Sequence, residues 1–130
     1  MQFVFAGRTI MNIKDSLTSL TKIDGFVGAA LVDSESGMLL GQEGGGGSVN
    51  LEVAAAGNTE VVRAKRKTMA SLSLRDTIDD ILITLGKQYH IIRPVRAKTG
   101  IFIYLVLDKA RANLALARRA CQDTEAALVF

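Results

Sequence analysis

The stretch from Ile101 to Leu107 is an unbroken run of seven apolar or aromatic residues, and it limits the possible folds of this chain more than any motif does. A β-strand without polar alternation has to be covered on both faces, so we expect it inside a sheet that lies between two layers of helices. A second run of this kind extends from Phe26 to Val32. Because the two runs lie far apart in the sequence, they predict two central strands of one sheet that closes by non-local pairing.

The bulk composition is that of one globular domain, with 130 residues of which 48% are hydrophobic and 22% are charged. Cys121 is the single cysteine, so the chain can form no internal disulfide and no cluster of cysteine metal ligands. The apolar start of the sequence is too short for a signal peptide, and no run reaches the ~18 apolar residues of a membrane span. We therefore predict a cytoplasmic protein without a membrane span, a metal or a cofactor.

Helical and strand periodicities divide the chain into a leader (1–10), a domain (11–121) and a C-terminal tail (122–130). Within the domain they predict the element order α-β-β-α-β-β-β-α. Ser48, after a flexible glycine loop, is the expected N-cap of the middle helix. Helices are expected from about residue 10 to Leu20, from Val49 to about Thr68 and from Arg111 to Cys121, and strands at Phe26–Val32, Met38–Leu40, Ile78–Leu85, Tyr89–Val95 and Ile101–Leu107.

Four segments resemble the roadblock dynein-light-chain family, namely Gly25–Asp33, Ser36–Leu40, Gly100–Asp108 and Asn113–Arg118. The long alanine-rich middle helix adds to the resemblance, which covers roughly residues 11–121. It implies an α/β (α+β) fold, a three-layer sandwich around a five-stranded, mostly antiparallel sheet of strand order 2-1-5-4-3. The first and last helices should cover one face of the sheet and the middle helix the other. This order places both apolar strands side by side in the centre, as their composition requires.

The resemblance also implies a function. Domains of this family typically form homodimers or heterodimers through the middle helix and the third strand, and bacterial members include a gliding-motility regulator that stimulates a small Ras-like GTPase. We therefore expect a non-catalytic, homodimeric adaptor or regulator of a small GTPase. The alternative is a small-molecule-sensing domain of the PAS or GAF type, because such domains are also built from helices on a sheet.

The middle helix and the third strand are the predicted dimer interface. Residues at helical spacing form one broad face, and the small side chains at residues 54–57 would let another backbone approach closely. This face could also do no more than cover the sheet, and the acidic pair Asp79-Asp80 could block strand pairing at the edge. The candidate interface residues are Leu51, Ala54, Ala55, Asn58, Val61, Val62, Ile78 and Leu82.

The charge is uneven, with a net −4 over residues 1–60 and +7 over residues 61–130. Such asymmetry can mark a surface for nucleic acid or for an acidic protein, or the charges can mix in the fold. Nucleic acid is not expected as a partner, because aromatic residues make up only 5% of the chain and stacking platforms need them. The basic candidates for contact with phosphates, which a solvated helix end would equally explain, are Arg63, Lys65, Arg66 and Lys67.

The remaining candidate sites are incomplete. Gly41–Ser48 reads G-x-x-x-x-G-G-S, but Gly47 replaces the lysine that a phosphate-binding loop requires. His90 has no nucleophile close in sequence, and Cys121 is expected in the core on the inner face of the last helix. Adjacent residues of a strand point to opposite faces, so Asp79 and Asp80 are not expected to work as a carboxylate pair. No enzyme activity is therefore predicted.

Overall fold

The N-terminal segment forms a small sheet of its own in the computed structural model, which describes residues 2–5 and 8–130. Strands β1 (Gln2–Phe5) and β2 (Arg8–Met11) pair antiparallel. The end of β2 is tied to the other end of the chain, because the Val129 N–H donates to the Met11 carbonyl at 2.8 Å. The predicted leader lies partly outside the described residues, at positions 1, 6 and 7, and the predicted domain limits stay a prediction.

Residues 12–130 contain three helices and five further strands. The five strands form one antiparallel sheet of order β4-β3-β7-β6-β5, which confirms the order that the resemblance implied. The elements are α1 (Ile13–Leu20), β3 (Phe26–Asp33), β4 (Met38–Gly44), α2 (Leu51–Ser71), β5 (Ile81–Thr84), β6 (Gln88–Pro94), β7 (Ile101–Asp108) and α3 (Leu114–Ala127).

The two apolar runs lie next to each other in the centre of this sheet. Strands β3 and β7 pair directly, with Ala30 opposite Tyr104 and Val32 opposite Phe102. All residues of the run in β7 are buried, and its side chains alternate between two separate cores. The prediction of two central strands covered on both faces is confirmed, since only burial on both sides accommodates an apolar side chain at every position.

The helices form the two outer layers of a three-layer sandwich. Leu17 and Leu20 of α1 and Cys121 of α3 pack on one face of the sheet, whereas α2 packs on the other face. Cys121 is buried as predicted, and its burial raises the pKa of the thiol to about 12. A thiol with so high a pKa stays protonated and therefore makes a poor nucleophile.

An asparagine caps the N-terminus of each helix. The side chains of Asn12, Asn50 and Asn113 accept from the backbone N–H three residues further on, at 2.8, 3.1 and 3.1 Å. The prediction of Ser48 as the cap of α2 is wrong. The Ser48 N–H donates instead to the Gly45 carbonyl within the turn of the glycine loop, so the helix begins two residues later than that cap would place it.

Three predicted elements have different ends in the structure. The first helix begins at Ile13 rather than near residue 10, because residues 8–11 form β2. The third of the five predicted strands, β5, starts at Ile81 rather than Ile78, and the residues before it include Asp79 and Asp80, whose side chains make ion pairs with Arg96 and Arg118. The last helix runs over Leu114–Ala127 rather than Arg111–Cys121, and its final turns bury Glu125 against the sheet, where it pairs with Arg93.

Candidate dimerisation surface

The inward face of α2 covers the sheet. Leu51, Ala55, Thr59 and Val62 recur at spacings of three and four residues and are buried against β3 and β7. Thr59 avoids an unsatisfied hydroxyl in this apolar contact, because its Oγ1 donates to the Ala55 carbonyl at 2.8 Å. These residues hold α2 on the domain and leave its opposite face directed outward.

The outward face of α2 carries small and apolar residues around the exposed Glu60, and nothing covers it in the single chain. Val53 is 68% exposed and Val61 is 36% exposed, with Gly57 and Ala64 between and beyond them on the same stripe. A Cβ added at Gly57 would meet no atom within 4 Å. Glycine costs roughly 1 kcal/mol relative to alanine inside a helix, so its presence here is not explained by the packing of this chain.

The predicted interface residues fall into three groups. Leu51, Ala55 and Val62 are buried by the chain's own sheet and offer no surface to a partner. Ala54, Asn58 and Val61 lie on the accessible sides of α2. Ile78 precedes β5, and Leu82 packs towards the core that α1 and α3 cover. Val53 and Ala64 are not among the predicted interface residues, although each lies at helical spacing from Gly57, one of the small residues of the predicted face.

Strand β5 is one of the two edges of the sheet, opposite β4, and the acidic residues before it are ion-paired. Asp80 accepts from Arg118 Nε at 2.9 Å and from Nη2 at 2.8 Å, and Asp79 makes an ion pair with Arg96. Hydrogen bonding to Asp80 raises the pKa of Arg118 above its usual value. The prediction of opposite faces assumed a strand at these residues, but β5 begins at Ile81, and both carboxylates line one groove beside α3. Paired in this way, they are poorly placed to repel a strand that adds to the edge.

Arg63 connects α2 to the turn between β3 and β4. Its Nη2 donates to the carbonyls of Ser34 at 2.8 Å and Glu35 at 2.7 Å, while Nη1 donates to Glu60 at 3.0 Å. Arg63 is therefore a structural link rather than a free basic group. Lys65, Arg66 and Lys67, by contrast, are exposed and follow Val62, the last buried residue of α2.

On the face of the sheet that α2 packs on, a chain of hydrogen bonds lies at the border between the part that α2 covers and the part that it leaves open. The Tyr104 hydroxyl lies 2.9 Å from His90 Nδ1, and His90 Nε2 lies 2.8 Å from Gln88 Oε1, while the Asn58 side chain interacts with the same Tyr104 hydroxyl. Burial raises the pKa of Tyr104, whereas the interaction with Asn58 lowers it, and burial lowers the pKa of His90. Because the Gln88 oxygen can only accept, these contacts favour a neutral imidazole protonated on Nε2.

The glycine loop makes a tight return from β4 to α2. Gly44, Gly45 and Gly46 all have positive φ, which other residues rarely adopt. The Gly45 N–H donates to the Val27 carbonyl at 2.8 Å, which fixes the start of the loop. The loop is thus required by the backbone path. A separate void between α1, β3, β7 and α3 is too small for a water molecule, so that part of the core cannot hold the ligand of a sensor domain.

Together these features define a Roadblock/LC7-type fold, in which α1 and α3 cover one face of a five-stranded antiparallel sheet and the long helix α2 covers the other. The Roadblock/LC7 domain from Streptomyces avermitilis matches it with a TM-score of 0.74 at 10% identity, over 89% of this chain and 93% of that one. Myxococcus xanthus MglB gives a TM-score of 0.75 at 15% identity, over 88% of this chain and 92% of that one. A structure described as MglB with a tetrameric arrangement gives a TM-score of 0.72 at 17% identity, over 88% of this chain and 83% of that one.

At these identities the likeness establishes the fold alone. No family model matches the sequence, and no curated protein matches it either. In the part of the chain that the structure describes, none of the helices is both long enough and apolar enough to cross a membrane.

Proposed function

We propose that this chain is a homodimeric adaptor or regulator of a small Ras-like GTPase and that it acts by binding rather than by catalysis. The proposal of a dimer rests on the outward face of α2, where Gly57, with open space beyond it, lies between the exposed Val53 and Val61. The resemblance to the roadblock dynein-light-chain family and the fold shared with MglB support the GTPase as the partner.

The charges of α2 favour an antiparallel arrangement of two copies. Its N-terminal half contains Glu52, whereas its C-terminal half contains Lys65 and Lys67. A two-fold axis between Gly57 and Val61 would place the acidic end of one helix beside the basic end of the other. The macrodipoles of the two helices would also oppose each other, and added salt should weaken such a dimer.

The edge strand β5 provides a second contact between copies. Ile81 and Ile83 are half-buried on the side of the sheet that α2 covers, and β6 occupies only one edge of β5. Pairing of β5 with its copy would satisfy the free backbone groups of that edge. The proposed interface therefore consists of the outward face of α2 and, beside it, the edge of the sheet.

The side chains that could suggest catalysis are engaged within the chain. Cys121 is buried with a raised pKa, His90 is bonded to Tyr104 and Gln88, and Asp79 and Asp80 are ion-paired. An effect on GTP hydrolysis would accordingly come from positioning the switch segments of the GTPase. This is the reason for proposing a regulator rather than an enzyme.

The test of the dimer is the mass in solution. At about 10 μM, a concentration that resolves micromolar affinities, light scattering should give twice the chain mass of 13.9 kDa. Gly57→Arg should return the mass to that of one chain. Gly47→Arg is the matched control, because a side chain at Gly47 also meets open space, and it should leave the dimer intact. A single-chain mass for the wild type, or a dimer in Gly57→Arg, would contradict the proposal.

The test of the partner is reconstitution. A small GTPase that copurifies with the tagged chain should hydrolyse GTP at a different rate when the purified chain is added, and Gly57→Arg should reduce that effect. If the rate is unchanged, the regulatory role is wrong even where the dimer is present.

A further inference from the structure

The last turns of α2 project beyond the sheet and continue into an exposed connection to β5. Between residues 63 and 77 every residue is exposed except Met69, which is half-buried. Besides Arg63, which pairs with Glu60, four cations lie in this stretch against the single acidic residue Asp76. None of the four makes an ion pair with another described residue. The four are Lys65, Arg66, Lys67 and Arg75.

An open groove of about 680 Å³ lies between this stretch and the turn that joins β6 to β7. Its apolar lining comes from Met69, Leu74, Ile78 and Pro94, and Leu74 is 52% exposed. Arg66 lines it as well, and the volume is in the range of sites that hold ligands, about 300–1,000 Å³. The groove thus combines an apolar lining with the unpaired charge of Arg66; Asp76 also lines it, as does Arg96, which pairs with Asp79.

We propose that this groove binds an acidic amphipathic segment of a partner protein, with apolar side chains in the groove and carboxylates beside Arg66 and its neighbours. A protein segment fits better than a bilayer, because a concave site receives individual side chains whereas a membrane surface meets convex ones. It also fits better than nucleic acid, since no aromatic side chain lines the groove to stack on a base.

The groove is separate from the α2 part of the proposed contact between copies, although Ile78, which lines it, leads into the edge strand β5. Arg66 and Met69 lie four and seven residues after Val62, so they continue the inward face of α2 past the end of the sheet. The outward stripe with Val53, Gly57 and Val61 points elsewhere. A dimer and an occupied groove are therefore compatible, and each can be tested without the other.

The probe is a library of short random peptides selected on the purified chain, and fluorescence anisotropy then measures the selected peptides. We expect sequences with apolar residues next to Asp or Glu. Arg66→Glu and Leu74→Ser should each weaken their binding by about tenfold or more, as for a residue that carries much of the binding energy. Higher salt should weaken binding to the wild type, because the positive charges around the groove are exposed.

The controls are Lys22→Glu and Leu116→Ser, which make the same two changes in another groove, beside α1 and α3. They should leave peptide binding unchanged, and circular dichroism should give all four variants the wild-type melting profile. Selected peptides without acidic residues, or equal affinity in Arg66→Glu and the wild type, would overturn the proposal. Retention on vesicles with about 30 mol% phosphatidylserine that Arg66→Glu abolishes, with no peptide selected, would overturn it in favour of a bilayer.

Discussion

The inward and outward faces of α2 both contain alanine and valine, yet in the single chain the inward residues are buried and the outward ones are exposed. Ala55 and Val62 on the inward face are buried by the sheet, whereas Val53 and Val61 on the outward face are open to solvent. An isolated apolar side chain on a surface needs no explanation, but a stripe that includes a glycine in the helix interior does. The comparison shows that helical spacing identifies which residues share a face, but not what covers that face.

The largest expected effect separates the two faces by a matched pair of substitutions. Val62→Asp would bury a carboxylate at a position that is 1% exposed, which costs several kcal/mol, about 4 or more. Val61→Asp adds the same group to the accessible face and should change the stability of the folded chain by less than about 1 kcal/mol. Urea unfolding followed by circular dichroism in dilute protein measures both. Equal destabilisation by the two variants would mean that the outward face is also needed for folding.

A smaller effect is expected where α2 leaves the sheet. Arg63→Ala removes two charge-assisted hydrogen bonds to the turn between β3 and β4, and we expect a loss of about 1 kcal/mol because the side chain is half exposed. Lys67→Ala, which removes a side chain with no ion pair among the described residues, is the control and should be nearly neutral. Urea midpoints of the two variants measure the difference. If both behave alike, Arg63 does not stabilise the turn.

The fold was more predictable than the site, for a physical reason. The central position of β3 and β7 can be predicted from their own residues, because burial on both faces excludes polar residues at every position. The role of Asp79 and Asp80 cannot be predicted in this way. Whether their charges repel an added strand depends on Arg96 and Arg118, which are distant in sequence. Likewise, the phase of α2 follows from its spacing, but the choice of Leu51 or Val53 as the outward side requires the position of the sheet.

The next substitution, Gly57→Ala, should stabilise the folded chain but weaken the dimer. Gly57→Ala should stabilise the folded chain by roughly 0.5–1 kcal/mol, because alanine is the better helix former and its methyl group meets open space. The same methyl group would separate the two backbones at the proposed two-fold axis, so the dissociation constant of the dimer should rise. Unfolding in dilute protein measures the first, and sedimentation over a concentration series measures the second. A tighter dimer in this variant would place the axis elsewhere on α2.

The smallest effect tests the border between the covered and open parts of the sheet, where His90 lies. Burial lowers its pKa from the usual 6.5, so the unfolded chain binds the proton more readily than the folded one. The stability that the neutral imidazole provides is therefore complete above pH 6.5 and declines as the pH falls below that value. Urea midpoints between about pH 7.5 and 5.5 measure it, a range in which ordinary carboxylates stay ionised. His90 is the only histidine, so His90→Gln should remove the slope, and a wild-type midpoint that stays constant on acidification would mean that solvent already reaches the imidazole freely. If a second copy covers this border, the slope should steepen at protein concentrations that favour the dimer, because covering the imidazole raises the cost of its charged form.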